Sequence, residues 1–149
     1  METLYFAYGS NMNGARMRAR VPTARHVGTA TLFGWRLAER LYTDIERRRS
    51  GRVRGVVYAI DARDLLVLDR FEGFPNTYTG DDVRVKLDCG EWVQAWTYFM
   101  TTTARRLRAG MKYPFEYAAI CAAGAKANGL PVDHWRQSVA GRLAQFDLI

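Results

Sequence analysis

Cysteine, histidine and long apolar runs are what this sequence has least of. Its two cysteines, Cys89 and Cys121, stand far apart in a chain of 149 residues. That spacing supplies neither a metal-thiolate set nor a disulfide framework, so both are read as buried or incidental thiols. The two histidines, His26 and His134, complete no metal-ligand spacing, and no metal is expected. No apolar run approaches the ~20 residues of a membrane-spanning helix. Met1 to Tyr8 lacks the basic start and sustained apolar stretch of a secretory signal, so a cytoplasmic protein with no membrane partner is expected. Repeats, low-complexity tracts and Ser/Pro-rich linkers are missing too, which leaves one domain over residues 1–149. Nucleophile elbow, phosphate-binding glycine loop with its lysine, and dinucleotide fingerprint are all absent. Hydride and phosphoryl transfer lose their usual support. Acid–base chemistry on a small substrate with an anionic group remains.

What is present is a globular composition, 48% hydrophobic and 25% charged. The formal net charge is +7, much of it concentrated in "RRRSGRVR", Arg47 to Arg54. Such a cluster is either a phosphate-contacting patch or a solvated loop. A solvated loop between strands is expected, with Arg52 and Arg54 pointing outward on either side of Val53. No helix-turn-helix, finger or aromatic RNA-binding signature accompanies it, so no nucleic-acid partner is expected.

Strands dominate the first two thirds. Leu4 to Tyr8 is continuously apolar or aromatic and reads as a strand buried on both faces. Arg25–Leu32, Trp35–Arg40 and Val53–Ile60 are further candidates, separated by Gly34 and Ser50-Gly51. Val83–Leu87 and Trp92–Met100 flank "DCGE" as a hairpin. Asp61 is placed to cap a helix over "DARDLLVLDRFEG", with Asp64 in its first turn and Gly73 at its end. "PFEYAAICAAGAKANGLP" predicts a second helix from Pro114 to Asn128-Gly129. A last one opens at Pro131 and runs toward Phe146. The fold class is α+β: a mixed, barrel-like sheet with flanking helices.

Two places could hold chemistry. The buried strand ends abruptly in Gly9, Ser10 and Asn11, where successive backbone N–H groups can converge on a carboxylate or phosphate. An ordinary strand-to-turn junction uses the same residues. In the helix over Leu65 to Glu72, Leu65, Leu68 and Glu72 share a face at i, i+3 and i+7, which sets a carboxylate on the apolar side. Without an obvious basic partner its pKa would rise from ~4.3 toward neutrality, as a general base or acid requires. Alternatively Glu72, beside Gly73, points to water. Asp64 and Asp69 lie off that face and read as solvated charges. In "FEGFPNTY", Phe71, Phe74 and Tyr78 bracket Glu72 with aromatic surface while Gly73 and Pro75 turn the chain.

"LYFAYGSNM", "LDRFEGFPNTY" and "YAAICAAGAKANGLP", in this order and at these separations, resemble the γ-glutamylcyclotransferase family. The resemblance spans from near the N-terminus to Pro131. It implies a mixed-sheet barrel with flanking helices, and release of 5-oxoproline from a γ-glutamyl compound without cofactor or metal. It puts the catalytic glutamate on Glu72, the substrate-holding loop on Tyr8, Gly9, Ser10 and Asn11, and a late pocket tyrosine on Tyr117. The partner it implies is the small-molecule γ-glutamyl substrate, with a homodimer as the one larger assembly left open. Glutathione-specific members carry Leu where this chain has Asn11, so the loop resembles the branch acting on γ-glutamyl amino acids or amines. "ERRRSGR", from Glu46 to Arg52, has no counterpart in those motifs. Two other readings stand beside the enzyme: a binding module that keeps the pocket without turnover, and a basic nucleic-acid partner.

Overall fold

A computed structural model of the chain describes residues 1–136. Its strands are β1 (Glu2–Ala7), β2 (Arg25–Arg40), β3 (Tyr42–Asp61), β4 (Tyr78–Leu87) and β5 (Trp92–Met100). They close a barrel in the order β1-β3-β2-β4-β5. The neighbours β1–β3, β3–β2, β2–β4 and β4–β5 are antiparallel. Closure comes from a parallel contact of β1 with β5 at Tyr5 and Trp96. The helices are α1 (Gly14–Arg20), α2 (Leu65–Glu72), α3 (Thr102–Arg108) and α4 (Phe115–Ala127). The expected mixed barrel with flanking helices is what the chain adopts.

β1 is buried on both faces, as its unbroken apolar run predicts. Phe6 and Tyr8 pack with Leu32, Ile45, Val53 and Val57 in one cluster. Tyr5 and Ala7 pack on the other side against Met12, Met17, Leu68 and Cys121, which the helical segments contribute. The period-2 alternation of the strand thus divides one apolar run between two cores.

Several expectations are corrected. Arg25–Leu32 and Trp35–Arg40 are not separate strands; they are one strand, β2, bent where Gly34 takes a φ of 86°. The segment Arg47–Arg54 is not a loop: all of it lies in β3. Pairing jumps there from Trp35↔Arg47 to Phe33↔Arg52, so residues 48–51 form a bulge opposite Gly34. Gly51 permits it, since a Cβ there would lie 2.4 Å from the Trp35 carbonyl oxygen. Arg47, Arg48, Arg49 and Arg52 are exposed with Val53 buried between Arg52 and Arg54, so the outward alternation is seen on a strand. β4 begins at Tyr78 rather than Val83. The Asp61 side chain caps a short 3-10 turn, accepting from the Arg63 N–H, before α2 starts at Leu65. Helices α1 and α3 were unforeseen. Each has a side-chain cap, from Asn13 and from Thr101, but Gly14 and paired threonines in their first turns mask the signal. Residues 133–136 of the last expected helix are helical, and its continuation lies outside the described residues.

Candidate active site

β1 delivers Tyr8 to the rim of the barrel, and the chain turns at once. Met12 N–H donates to the Gly9 carbonyl and Asn13 N–H to that of Ser10, both at 3.1 Å, forming a 3-10 turn over Ser10–Met12. Asn13 then caps α1, its Oδ1 accepting from the Arg16 N–H at 3.2 Å. Close packing fixes this turn from outside. A Cβ on Gly9 would come within 3.2 Å of the Tyr117 hydroxyl and 3.3 Å of Thr43 Cβ. On α4, Gly124 lets the helix lie directly against the turn, since a Cβ there would reach the Asn13 nitrogen at 2.5 Å. Among the described residues no acceptor takes the backbone N–H of Gly9, Ser10 or Asn11.

These groups face a cavity of about 230 Å³ whose lining includes Tyr8, Gly9, Ser10, Asn11, Glu72 and Tyr117. The glutamate, the loop residues and the tyrosine that the resemblance picks out therefore meet at one place. Their side chains are held from behind. Asn11 Nδ2 donates to the Tyr5 hydroxyl at 3.0 Å, Arg20 Nη1 donates to Asn11 Oδ1 at 3.1 Å, and the Tyr58 hydroxyl donates to the Asn11 carbonyl at 2.8 Å. Asn11 is thus tied to the scaffold, and what the turn has left to offer is its backbone N–H groups and the Ser10 hydroxyl. The Tyr117 hydroxyl accepts from the Thr43 N–H at 3.0 Å and donates to Thr43 Oγ1 at 3.1 Å. The Tyr8 hydroxyl donates to the Tyr98 carbonyl at 2.6 Å, and that of Tyr78 to the Thr43 carbonyl at 2.8 Å.

Glu72 is the last residue of α2, and Gly73, with a φ of 65°, stops the helix behind it. Its side chain turns to the cavity rather than to bulk water, and Leu68 on the same face is fully buried. Burial pushes its pKa from 4.5 up to about 7; Arg20 and Arg16 pull it down, and Asp69 pushes it up. The sequence showed no basic partner, and here the structure differs: the short helix α1 brings both arginines near. Asp69 is not a solvated charge either, because its Oδ1 accepts the Tyr98 hydroxyl at 2.5 Å. Phe71 contributes to the cavity wall, as does Tyr78; Phe74 instead packs its ring against Trp96 and Tyr98.

With this arrangement in view, the chain can be compared with known proteins. Residues 5–116 match the family described as Gamma-glutamyl cyclotransferase, AIG2-like. The chain belongs to this family. The Gamma-glutamylcyclotransferase of Homo sapiens is 31% identical over 144 residues, covering 88% of this chain and 74% of that one. A relative from Methanocaldococcus jannaschii is 34% identical over 55 residues, 37% of this chain and less than half, 46%, of its own length. The solved structure of a gamma-glutamyl cyclotransferase superposes with a TM-score of 0.75 at 27% identity, covering 93% of this chain and 86% of that one. Membership of the gamma-glutamyl cyclotransferase family places the chain among enzymes.

Sequence reasoning missed part of the cavity wall of this family member. Tyr5, Arg16, Arg20, Tyr42, Thr43 and Tyr98 also line it. Arg16 and Arg20 were findable, being four residues apart behind a capping Asn13 on a helix whose Met17 faces the core. Thr43 carried no signal, since its place follows from the pairing of β3. Among the described residues no group of His, Cys, Asp or Glu is gathered to hold a metal ion, and no helix is long and apolar enough to cross a membrane. Cys121 is buried, with its thiol pushed up to about 12, whereas Cys89 is exposed.

Proposed function

We propose that this chain releases 5-oxoproline from a γ-glutamyl amino acid or amine, with Glu72 as the proton-transfer group. One observation carries the reading: a carboxyl poised near pH 7 shares a small cavity with backbone N–H groups that have no acceptor among the described residues. A base is useful only if it is ionised at the working pH yet basic enough to take a proton, and about 7 meets both demands.

The α-amino group of a γ-glutamyl compound is protonated in water and cannot attack. Glu72 removes one proton, and the freed nitrogen bonds to the γ-carbonyl carbon to close a five-membered ring. The carbon–nitrogen bond to the departing amine then breaks as the proton held by Glu72 passes to that amine, a poor leaving group without it, and the ring nitrogen sheds its second proton, which the released amine takes up. Holding the glutamyl chain curled for this attack is the contribution of proximity. The N–H groups of Gly9, Ser10 and Asn11 bind either the substrate α-carboxylate or the oxyanion that develops on the carbonyl. The hydroxyls of Tyr8, Tyr78, Tyr98 and Tyr117 are tied to protein acceptors, and their role is to fix the walls.

The test is to incubate the purified protein with γ-glutamyl amino acids, γ-glutamyl amines and glutathione and to quantify 5-oxoproline. Formation from at least one substrate, abolished by Glu72→Gln, is the expected result. Ligand binding without any 5-oxoproline would leave a binding module.

A further inference from the structure

The cavity has two chemically different ends. Around Gly9 it is walled by the buried residues Tyr8, Ser10 and Thr43, with the unpaired backbone donors of the turn. On the α1 side it is lined by Arg16, Arg20 and Phe71, and Phe71 is 55% exposed, so this end opens to solvent. Glu72 is within electrostatic reach of both arginines. A substrate whose glutamyl part rests on the turn must send its departing amine past Glu72, and the open end is where that amine can leave.

The guanidinium groups there are conspicuously short of partners. They lie one helical turn apart on α1, and each carries a full charge against the other. Among the described residues neither is paired with a carboxylate. Arg20 gives one N–H to Asn11 and lays its guanidinium over the Phe71 ring at 4.5 Å, which fixes its position without neutralising it. Arg16 Nε is buried and has no hydrogen-bond acceptor among the described residues. A buried donor without an acceptor is costly, and like charges side by side add to the cost. With Glu72 neutral for half of the molecules at pH 7, this end of the cavity is a site for negative charge.

We infer that Arg16 and Arg20 form the subsite for the departing amine and that they select an acidic one, an amino acid carrying two carboxylates such as glutamate or aspartate. The inference rests on the cyclotransferase reading and narrows it. With the glutamyl α-carboxylate held by the N–H groups of the turn, the first of the two roles open to them, two guanidinium groups are left for the charges of the departing group. One carboxylate can be met by each, and guanidinium–carboxylate pairs are the strong, directional kind of hydrogen bond.

The experiment measures kcat/KM for 5-oxoproline release from γ-glutamyl-glutamate, γ-glutamyl-alanine and γ-glutamyl-alaninamide, whose departing groups carry two, one and no carboxylates. The expected order is glutamate, alanine, alaninamide, with roughly a tenfold step or more for each carboxylate, the size of a charge-assisted hydrogen bond. In Arg16→Gln the ratio of the glutamate to the alaninamide substrate should fall at least about tenfold, and Arg16→Lys should restore part of it. A ratio is the right readout, because losing Arg16 also shifts the Glu72 carboxyl and that change scales all three substrates alike. Equal rates on the three substrates, or a ratio untouched by Arg16→Gln, would overturn this inference while leaving the cyclotransferase reading in place. Absence of 5-oxoproline from every substrate would overturn both.

Discussion

A carboxyl that titrates at about 7 is ionised in only half of the molecules at neutral pH, and that single property of Glu72 links rate to stability. In the role proposed for it, as a base, it works only when ionised. The kcat/KM profile should therefore climb about tenfold per pH unit on the acid side and level off above about 7. Glu72→Gln keeps the volume and removes the base, so turnover should drop by ~100-fold to 10,000-fold with the fold intact by circular dichroism. The same pKa predicts the opposite sign for stability. The folded-state value lies above the ordinary 4.5, so between 4.5 and about 7 the folded chain holds a proton that the unfolded chain has released. The contribution of this group is fully present at low pH and is lost as pH rises through about 7. Glu72→Gln should accordingly be more stable than the parent at about pH 8, by about 1–3 kcal/mol, and match it only at about pH 4 and below. A parent and variant that melt together at both values would show that Glu72 is well solvated. The helical spacing of Leu65, Leu68 and Glu72 made this residue legible in advance. Arg16 and Arg20 could be paired on one helix from their spacing, but their nearness to Glu72 was hidden because it arises from tertiary packing of α1.

Among the elements, the turn after β1 shows what a motif in sequence can and cannot convey. "YGSN" reads as a junction, and only the structure reveals that Gly9 abuts Tyr117 and Thr43 while the Asn11 side chain is committed to Tyr5 and Arg20. On the proposed role of its backbone donors, Gly9→Val should damage substrate affinity or folding far more than Ser10→Ala. Substrate titrations on both variants, with circular dichroism as the check on folding, decide this, and the reverse order would point to chemistry at the serine hydroxyl. The arginine-rich stretch of β3 makes a complementary case. Charge and Gly51 suggested a loop, whereas cross-strand pairing with β2 and a bulge absorb the segment into the sheet. None of Arg47, Arg48 and Arg49 lines the cavity, and Arg47 rests over the Trp35 ring at 4.3 Å. Replacing all three with Ser should leave cyclisation within about twofold and cost no more than ~1 kcal/mol, the scale of one cation–π contact and some surface change. Rates that fall between 0.1 M and 1 M salt, where the Debye length shrinks from ~10 Å to ~3 Å, and that lose this dependence in the triple variant, would show instead that the patch draws substrate in.

For the molecule as a whole, the class of fold was legible from alternating strands and late alanine-rich helix, but the closure of the barrel was not. It depends on β1 meeting β5 in parallel across most of the chain length, and no local pattern encodes such a pairing. Asp44 is a comparable long-range tie, unmarked in the sequence. Its side chain is fully buried, Oδ1 accepts the Met100 N–H at 2.9 Å, and Oδ2 meets Arg40 at 2.8 Å and Arg105 at 3.3 Å. One carboxylate thus joins the start of β3 to the ends of β2 and β5 and to α3. Next to it, Thr43 carries the hydrogen bonds of Tyr117 and Tyr78, so the cavity wall hangs on the same point. Asp44→Asn keeps the shape and removes the charge, leaving Arg40 and Arg105 in a half-buried place without their common counter-ion. Breaking a buried pair in this way costs ~3–5 kcal/mol, which for a chain of this size is a drop in Tm of about 6–20 °C. Because the wall is disturbed and the base is untouched, KM should rise more than kcat falls. A Tm within about 2 °C of the parent would mean that the arginines find equal partners elsewhere and that the barrel is held at this corner by its apolar core alone.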